Sequence, residues 1–211
     1  MKPYNFTECL HPQRSPEWFT ARCGKVTGSA VRNVLAKTKT GEPVGRSEYR
    51  TQLVIERLTG APAGSTFSNA AMQRGTDLEP LARVAYEVQT GSLALETGFW
   101  HDDAMGASPD GLIEDTGILE IKCPSLTTHF EYLKNKVVPS KYVAQVQMQM
   151  LVTNRQWCDF VSFCPEYPEH LRLMIVRCVR DETYIETMVS EIEMFLLEIE
   201  TDVLILNLGK L

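Results

Sequence analysis

Two stretches, Ser108-Pro109-Asp110-Gly111 and Leu119-Glu120-Ile121-Lys122-Cys123-Pro124, decide how this sequence folds. The second stretch alternates apolar and charged residues, which is typical of a half-buried β-strand. Its charged members, Glu120 and Lys122, therefore share one face, and the apolar residues between them face a core.

A turn at Glu114-Asp115-Thr116-Gly117 joins the two stretches and predicts a β-hairpin. Asp110 and Glu120 lie about symmetrically around residue 115, so we expect the hairpin to bring their carboxylates together. Two carboxylates at short range repel each other unless a cation or a proton intervenes. Such oxygen ligands suit Mg²⁺, or alternatively Mn²⁺, and the carbonyl oxygen of Ile121 is a further candidate ligand.

Lys122 gives this predicted metal centre a catalytic character. A Glu-x-Lys pair on a strand is more often an exposed face or a cross-strand ion pair, but Asp110 upstream and the apolar flanks favour a functional site. We expect the ammonium group to orient or help deprotonate a metal-bound water, or to stabilise charge on an attacked phosphate. The pattern therefore predicts metal-assisted hydrolysis of a phosphodiester.

Composition predicts an ordinary globular protein. The chain has 211 residues, of which 44% are hydrophobic and 23% charged, and we expect one domain over residues 1–211. Residues 1–12 lack the pattern of a secretion signal and the apolar runs are too short for a bilayer, so we expect a cytoplasmic protein. The six cysteines form no C-x-x-C pair, which favours free thiols over a zinc or iron–sulfur site.

Charge is unevenly distributed although the net charge is −6. Residues 1–60 contain ten Lys and Arg against five Glu, a net charge of +5, whereas residues 181–202 contain eight acids and no Lys or Arg. This polarity predicts a basic side that faces phosphate and an acidic side that faces away, although ordinary solvated helix faces would give the same pattern.

Periodicity divides the chain into a mainly helical part (1–90), a sheet core that carries the motif (91–180) and a C-terminal helix (181–211). This order predicts an α/β or α+β fold with a mixed central sheet flanked by helices. Residues 37–47 are expected to form a loop. Helices are expected over Ser15–Ala36, Ser47–Leu58, Asn69–Val88, Lys141–Val152 and Asp181 to about Leu206. Strands are expected over Leu93–His101, Ala107–Ile113, Gly117–Cys123, Trp157–Cys164 and Leu171–Val179.

The spacing Asp-x(9)-Glu-x-Lys resembles the PD-(D/E)xK motif of nucleases with a restriction-endonuclease-like core. Several ordered blocks are also similar to the phage lambda exonuclease and YqaJ-type viral recombinase family. These blocks are Trp18–Lys37, Arg74–Glu79, Ser108–Gly111, Leu119–Pro124 and Tyr142–Gln147. The resemblance covers most of residues 17–149.

By this resemblance, Asp110 and Glu120 are metal ligands and Lys122 is the catalytic lysine. Glu79, which lies on the helix before the strands, corresponds to a further acid near the metal centre. An exposed helix carboxylate is the alternative interpretation of Glu79.

The resemblance also implies roles for polar residues of the helix after the motif. Tyr142, Gln145 and Gln149 are spaced i, i+3 and i+7 and share one helical face. Amides on a helix usually face solvent, but the family's Tyr-x-x-Gln block indicates an active-site role for Gln145, and similarly for Tyr142 and Gln147. An amide there would hold the scissile phosphate in place.

Arg22, Ser29 and Ser108 match family positions that bind a terminal 5′-phosphate. A guanidinium fork and hydroxyl groups are suited to a phosphate dianion. The family's arginine after Lys-Cys-Pro is absent, because this chain has Ser125-Leu126-Thr127-Thr128-His129 there. His129 is a candidate for part of that role.

The resemblance implies a Mg²⁺-dependent 5′→3′ exonuclease that acts on double-stranded DNA ends and leaves 3′ overhangs. It also implies a ring-shaped homotrimer around DNA, a single-strand annealing protein as partner, no membrane association and a location in the cytoplasm of a bacterial host cell. Three alternatives remain open. They are an endonuclease or resolvase on the same fold, a Cas4-like nuclease, and a non-catalytic DNA-binding module that loads a recombinase.

Overall fold

The computed structural model contains both helices and strands and describes residues 5–63 and 70–209. Within those ranges the helices are α1 (Pro16–Arg22), α2 (Val31–Val34), α3 (Val44–Thr59), α4 (Ala70–Thr90), α5 (Leu126–Asn135), α6 (Ser140–Thr153) and α7 (Glu182–Leu208). The strands are β1 (Thr7–Cys9), β2 (Val26–Thr27), β3 (Ala94–Leu95), β4 (Phe99–His101), β5 (Met105–Ala107), β6 (Gly111–Ile113), β7 (Gly117–Lys122), β8 (Trp157–Phe163) and β9 (Leu173–Val179). Asn69, where the third expected helix was to begin, lies outside the described residues.

The strands form two mixed sheets with orders β1-β4-β5-β2 and β3-β6-β7-β8-β9. β2 pairs in parallel with β5, and β7 pairs in parallel with β8. The other pairs are antiparallel. The predicted α/β fold with a mixed sheet flanked by helices is confirmed, although its strands divide between two sheets.

The division arises where two expected strands break. Residues 93–101 separate into β3 and β4 because the Glu8 carboxylate holds the bend between them, accepting from Thr97 Oγ1 at 2.6 Å and from Gly98 N at 2.7 Å. Residues 107–113 separate into β5 and β6 at Pro109, which has no N–H with which to continue a ladder. Each break moves the chain from one sheet to the other.

The single helix expected over residues 15–36 is wrong. The chain there forms α1, β2 and α2. Gly24 has φ +70°, which ends α1, and Gly28 lies so close to β5 that a Cβ on it would be 2.9 Å from Ala107 Cβ. The apolar spacing of this segment therefore serves a parallel strand between two short helices.

Helix α6 is buried between two apolar clusters. Ala144 and Met148 pack in the larger cluster, with residues of α2, α3 and α7. Val146 and Met150 pack instead against Ile118 of β7 and its neighbours. A helix covered on both sides can hold polar side chains out of water, which matters for the site below.

The expected separation of basic and acidic sides is wrong for α3 and α7, because the two helices neutralise each other. Arg46 of α3 forms two hydrogen bonds with Glu198 of α7, at 2.8 and 2.7 Å. Arg50 also pairs with Glu198 and with Asp202. Basic side chains of the N-terminal segment thus bind the acidic helix instead of forming a free surface.

None of the six cysteines, all of which lie in the described ranges, forms a disulfide bond. Over the described ranges, none of the helices combines the length and the apolar character that a membrane span requires. The assignment of residues 1–211 to one domain stays a prediction.

Candidate active site

The β6–β7 hairpin places Asp110 opposite Glu120, as predicted. Gly111 pairs with Leu119, and the Asp110 N–H donates to the Leu119 carbonyl oxygen at 2.9 Å. The Asp110 Oδ2 atom accepts from the Ile121 N–H at 2.6 Å. Asp110 and Glu120, called the acid pair below, therefore lie side by side at the end of β7.

The Glu120 carboxylate is buried, with 1% of the side chain exposed, and three donors surround it. Gln145 Nε2 donates to Oε1 at 2.6 Å, and Gln149 Nε2 donates to Oε2 at 2.6 Å. The Lys122 ammonium also contacts Oε1. A buried carboxylate requires such partners, because leaving it unpaired costs several kcal/mol, on the order of its desolvation energy.

Lys122 lies between the acid pair and an aromatic ring. Its Nζ is 5.0 Å from the centre of the Tyr142 ring, within the range of a cation–π contact. Burial acts to lower the pKa of Lys122, but the charges of Glu120 and Asp110 outweigh burial and raise it. The side chain is therefore an ammonium ion at neutral pH.

Asp110 shows the opposite electrostatic balance. Burial, and then the charge of Glu120, raise the pKa of the Asp110 carboxyl well above its usual range, and Lys122 opposes this only in part. The acid pair thus has more negative charge than nearby groups neutralise. A cation between the two carboxylates would remove this repulsion.

Glu79 lies on α4 near the acid pair, where its charge also raises the pKa of Asp110. Glu79 and Asp110 both line a cleft of about 480 Å³. Glu79 Oε2 accepts from Arg14 Nη2 at 2.9 Å, and Arg83 lies 3.9 Å away. The structure thus brings Glu79 to the site, paired with an arginine.

Arg22, Ser29 and Ser108 also lie together, joined by Trp18; these four residues are called the Arg22 cluster below. The Arg22 guanidinium lies 4.0 Å from the centre of the Trp18 ring and donates to Ser29 Oγ at 3.4 Å. Trp18 Nε1 donates to Ser108 Oγ at 3.1 Å. Burial lowers the pKa of Arg22 to about 10, so the group stays cationic at neutral pH. A cation drawn out of water in this way favours an anionic ligand.

The structure does not bring Gln147 or His129 to the acid pair. Gln147 donates to the Val179 carbonyl at 2.9 Å and accepts from the Asp181 N–H at 3.0 Å. Gln147 follows Gln145 by two residues, which is about 200° around a helix and so points it to the other side.

His129 is fully buried, with Nδ1 2.7 Å from Ser162 Oγ and Nε2 2.8 Å from the Leu171 carbonyl oxygen. Both ring nitrogens are thus engaged inside the fold. His129 therefore does not take the role of the family's arginine.

Two contributions were missed in the sequence. The sequence assigned Trp18 no role of its own, whereas its indole N–H donates to Ser108 Oγ in the Arg22 cluster. Arg83 contacts the Asp110 carbonyl oxygen and donates to the Ala94 carbonyl at 3.0 Å, which fixes the start of the hairpin. The only sequence signal for Arg83 is its i+4 spacing from Glu79.

Comparisons with known proteins identify the family and the fold of the chain. Residues 17–156 match the model of the YqaJ-like viral recombinase domain. An alkaline exonuclease from Laribacter hongkongensis is 42% identical, with 93% of this chain and 98% of that chain covered and a TM-score of 0.85. The same enzyme in complex with dAMP matches equally well.

A phage related exonuclease from Haemophilus somnus 129PT shares the fold at 15% identity, covering 88% of this chain and 97% of that chain with a TM-score of 0.73. No curated protein sequence matches significantly. The likeness to these structures confirms the predicted restriction-endonuclease-like core. Because the family model spans most of the chain and the Laribacter enzyme is similar over nearly its whole length, the chain belongs to the YqaJ-like viral recombinase family.

Proposed function

We propose that the protein is a Mg²⁺-dependent deoxyribonuclease that degrades double-stranded DNA ends in the 5′→3′ direction and leaves 3′ single-stranded overhangs. The observation that carries this proposal is the position of Ser108. It belongs to the Arg22 cluster and precedes Asp110 of the acid pair by two residues. A phosphate-binding cluster beside a hydrolytic centre is suited to cleaving a bond next to a DNA end. The similar alkaline exonuclease from Laribacter hongkongensis supports an exonuclease activity.

The chemistry of the acid pair fits a divalent ion of the Mg²⁺ or Mn²⁺ type. Among residues 5–63 and 70–209, no three His, Cys, Asp or Glu side chains converge as a complete metal cage. Asp110, Glu120 and the Ile121 carbonyl would therefore bind the ion together with water, which suits Mg²⁺ because it retains several waters. When bound, the ion polarises the phosphoryl oxygen and lowers the pKa of the attacking water.

The protein's own groups would orient the reaction. The Lys122 ammonium stabilises negative charge that develops on the attacked phosphate, and the Tyr142 ring restricts where that ammonium lies. The Gln145 amide holds Glu120 and offers its remaining polar atoms to the scissile phosphate. Glu79 adds a carboxylate near the metal centre once Arg14 pairs with DNA instead.

The Arg22 cluster would bind the terminal 5′-phosphate. The guanidinium of Arg22 supplies charge and directed N–H donors, and the hydroxyls of Ser29 and Ser108 supply neutral donors. Because Trp18 packs under the guanidinium, Arg22 is held ready for the phosphate before DNA arrives.

Assembly and partners follow from the same proposal. A homotrimeric ring would encircle the duplex and keep the enzyme on its substrate, and only the lining of its channel would need to be basic. This explains how a chain with a net charge of −6 binds DNA. A single-strand annealing protein would receive the 3′ overhang in the cytoplasm of the bacterial host.

Digestion of linear duplexes, labelled separately at each 5′ and 3′ end, tests the proposal. Each duplex is supplied with a 5′-phosphate or a 5′-hydroxyl, and each reaction contains Mg²⁺ or a chelator. We expect Mg²⁺-dependent loss of the 5′ label first, with faster cleavage of the 5′-phosphorylated duplex.

A closed circular duplex serves as the control without ends. Cleavage of the circle would support an endonuclease or resolvase instead, and early release of the 3′ label would contradict the proposed polarity. Binding without any cleavage would support a recombinase-loading module. A Cas4-like nuclease is disfavoured because the six cysteines are dispersed free thiols.

A further inference from the structure

Gln149 connects the Arg22 cluster with the acid pair. Its Nε2 atom donates to Glu120 Oε2 at 2.6 Å and to the Ser108 carbonyl oxygen at 3.2 Å. Both partners can only accept hydrogen bonds, so the amide must point its NH₂ group at them. One NH₂ group thus bonds simultaneously to a residue of each site.

These contacts complete a continuous path of five residues. Arg22 stacks on Trp18, Trp18 donates to Ser108 Oγ, and the Ser108 carbonyl accepts from Gln149. Gln149 then donates to Glu120. The distance between the cationic cluster and the catalytic carboxylate is therefore fixed by direct contacts.

Packing alone does not explain an amide at this position. Gln149 is 1% exposed on a helix whose neighbouring side chains Val146, Met148 and Met150 are fully buried. Among the described residues, none donates to its buried Oε1 atom, which leaves this oxygen unsatisfied. An unsatisfied buried oxygen is unfavourable, so the amide is placed here for the contacts of its NH₂ group with Glu120 and Ser108 and not for packing.

We propose that Gln149 is a positioning residue that couples occupancy of the Arg22 cluster by a 5′-phosphate to the placement of Glu120. This inference rests on the proposed function and deepens it. When a phosphate binds Ser108 and Arg22, Gln149 keeps the Ser108 backbone in register with Glu120. The bond to be cleaved then lies at a set distance from the bound end.

The test compares Gln149→Met with the matched control Gln147→Met. Both glutamines are buried on α6 and both substitutions replace an amide with an apolar side chain of similar length. Gln147, however, bonds to groups at the end of β9 and just before α7, away from the acid pair. The measurement is the ratio of kcat for 5′-phosphorylated and 5′-hydroxyl duplexes in Mg²⁺, with KM and the thermal midpoint recorded for each variant.

We expect Gln149→Met to lower this kcat ratio by about tenfold, because losing a hydrogen bond to a charged group is an effect of that size. Gln147→Met should keep the wild-type ratio even where its thermal midpoint falls equally. Gln149→Asn retains an amide but is too short to reach both oxygens, and we expect a smaller loss of the ratio. The Gln149→Asn variant also tests the inference if Gln149→Met fails to fold.

An unchanged ratio in a folded Gln149→Met or Gln149→Asn variant would overturn the inference, whatever happens to the overall rate. An equal loss in Gln147→Met would overturn it too, because the effect would then be structural. Measurements on the wild-type enzyme distinguish a failure of the Gln149 inference from a failure of the proposed function. If it cleaves both duplexes equally fast, recognition of the 5′-phosphate is itself wrong.

Discussion

Single side chains in the site have distinct tasks that follow from their contacts. Lys122 contacts Glu120 and lies against the ring of Tyr142, so its ammonium is charged and restricted in position. Arg22 is a cation withdrawn from water by Trp18. The Lys122 ammonium is suited to stabilising a transition state, and the Arg22 guanidinium is suited to binding a DNA end. Removing each group should therefore have a different kinetic effect.

Lys122→Ala should reduce cleavage by about a hundredfold or more, because it removes the charge that stabilises the transition state. Duplex binding should persist. Lys141→Ala is the matched control, since Lys141 Nζ lies 4.9 Å from the same Tyr142 ring but on the exposed side. Steady-state cleavage of a labelled duplex distinguishes the two variants. Near-wild-type cleavage by Lys122→Ala would remove this lysine from the mechanism.

Close packing of backbones and ion pairs between side chains hold the helices and strands together. β2 reaches β5 only because Gly28 has no side chain, and α7 binds α3 through paired arginines and glutamates. Both contacts support the core that surrounds α6, and α6 carries the amides of the site. Their effects should therefore be seen in stability before they are seen in catalysis.

Gly28→Ala should destabilise the protein by about 1–3 kcal/mol, because the new methyl group would overlap the side chain of Ala107. Gly75→Ala is the contrasting variant. Gly75 lies within α4, and no atom of residues 5–63 or 70–209 lies within 4 Å of a Cβ built on it. That change should stabilise by about 0.5–1 kcal/mol through helix propensity. Urea unfolding measures the free energy of unfolding of both variants. If both substitutions changed that free energy in the same direction, the packing argument would be contradicted.

Arg46→Ala should lower the free energy of unfolding by about 1 kcal/mol, since it removes two partly buried hydrogen bonds to Glu198 and the packing of the guanidinium on Phe195. Lys37→Ala removes a more exposed pair with Glu191 and should have little effect. The comparison is made by urea unfolding at low and high salt. A larger effect for Lys37→Ala would argue against the proposed attachment of α7.

Several elements of the molecule contribute side chains to the acid pair and its surroundings. Asp110 begins the hairpin, Glu120 lies on β7, the amides come from α6 and Glu79 comes from α4. The charge assembled there links folding to pH and to metal. It is a property of the tertiary structure, because the contributing groups are far apart in the sequence.

Without metal, the stability of the wild-type protein should fall as pH rises through the raised pKa of Asp110. The folded state binds the proton of a raised carboxyl more tightly than the unfolded state does, so its stabilising effect is present at low pH and lost above that pKa. Asp110→Asn should lack this contribution, and it should be more stable than wild type in chelator at neutral pH. Added Mg²⁺ should raise the thermal midpoint of wild type but not of the variant. If the stabilities of wild type and Asp110→Asn depended equally on pH in chelator, this account would be contradicted.

Local patterns predicted the parts of the site that are close in sequence. Alternation over residues 119–122 and the turn at 114–117 fixed the hairpin, because side-chain direction in a strand has a period of two. The helix over 141–152 was equally clear from its spacing. The apolar spacing of residues 15–36 misled, because glycines at 24 and 28 override helical periodicity when another strand lies beside them.

The sequence by itself determined the facing pair Asp110 and Glu120, the lysine beside them and the family resemblance, since all depend on short-range order. Only the tertiary structure decided that Gln145 and Gln149 of α6 face Glu120, which arginines face acids and which histidine is core. Those outcomes depend on how α6 is rotated between its two apolar clusters and on how α7 lies against α3. Such rotations are set by packing among residues distant in the chain, and no local pattern encodes them.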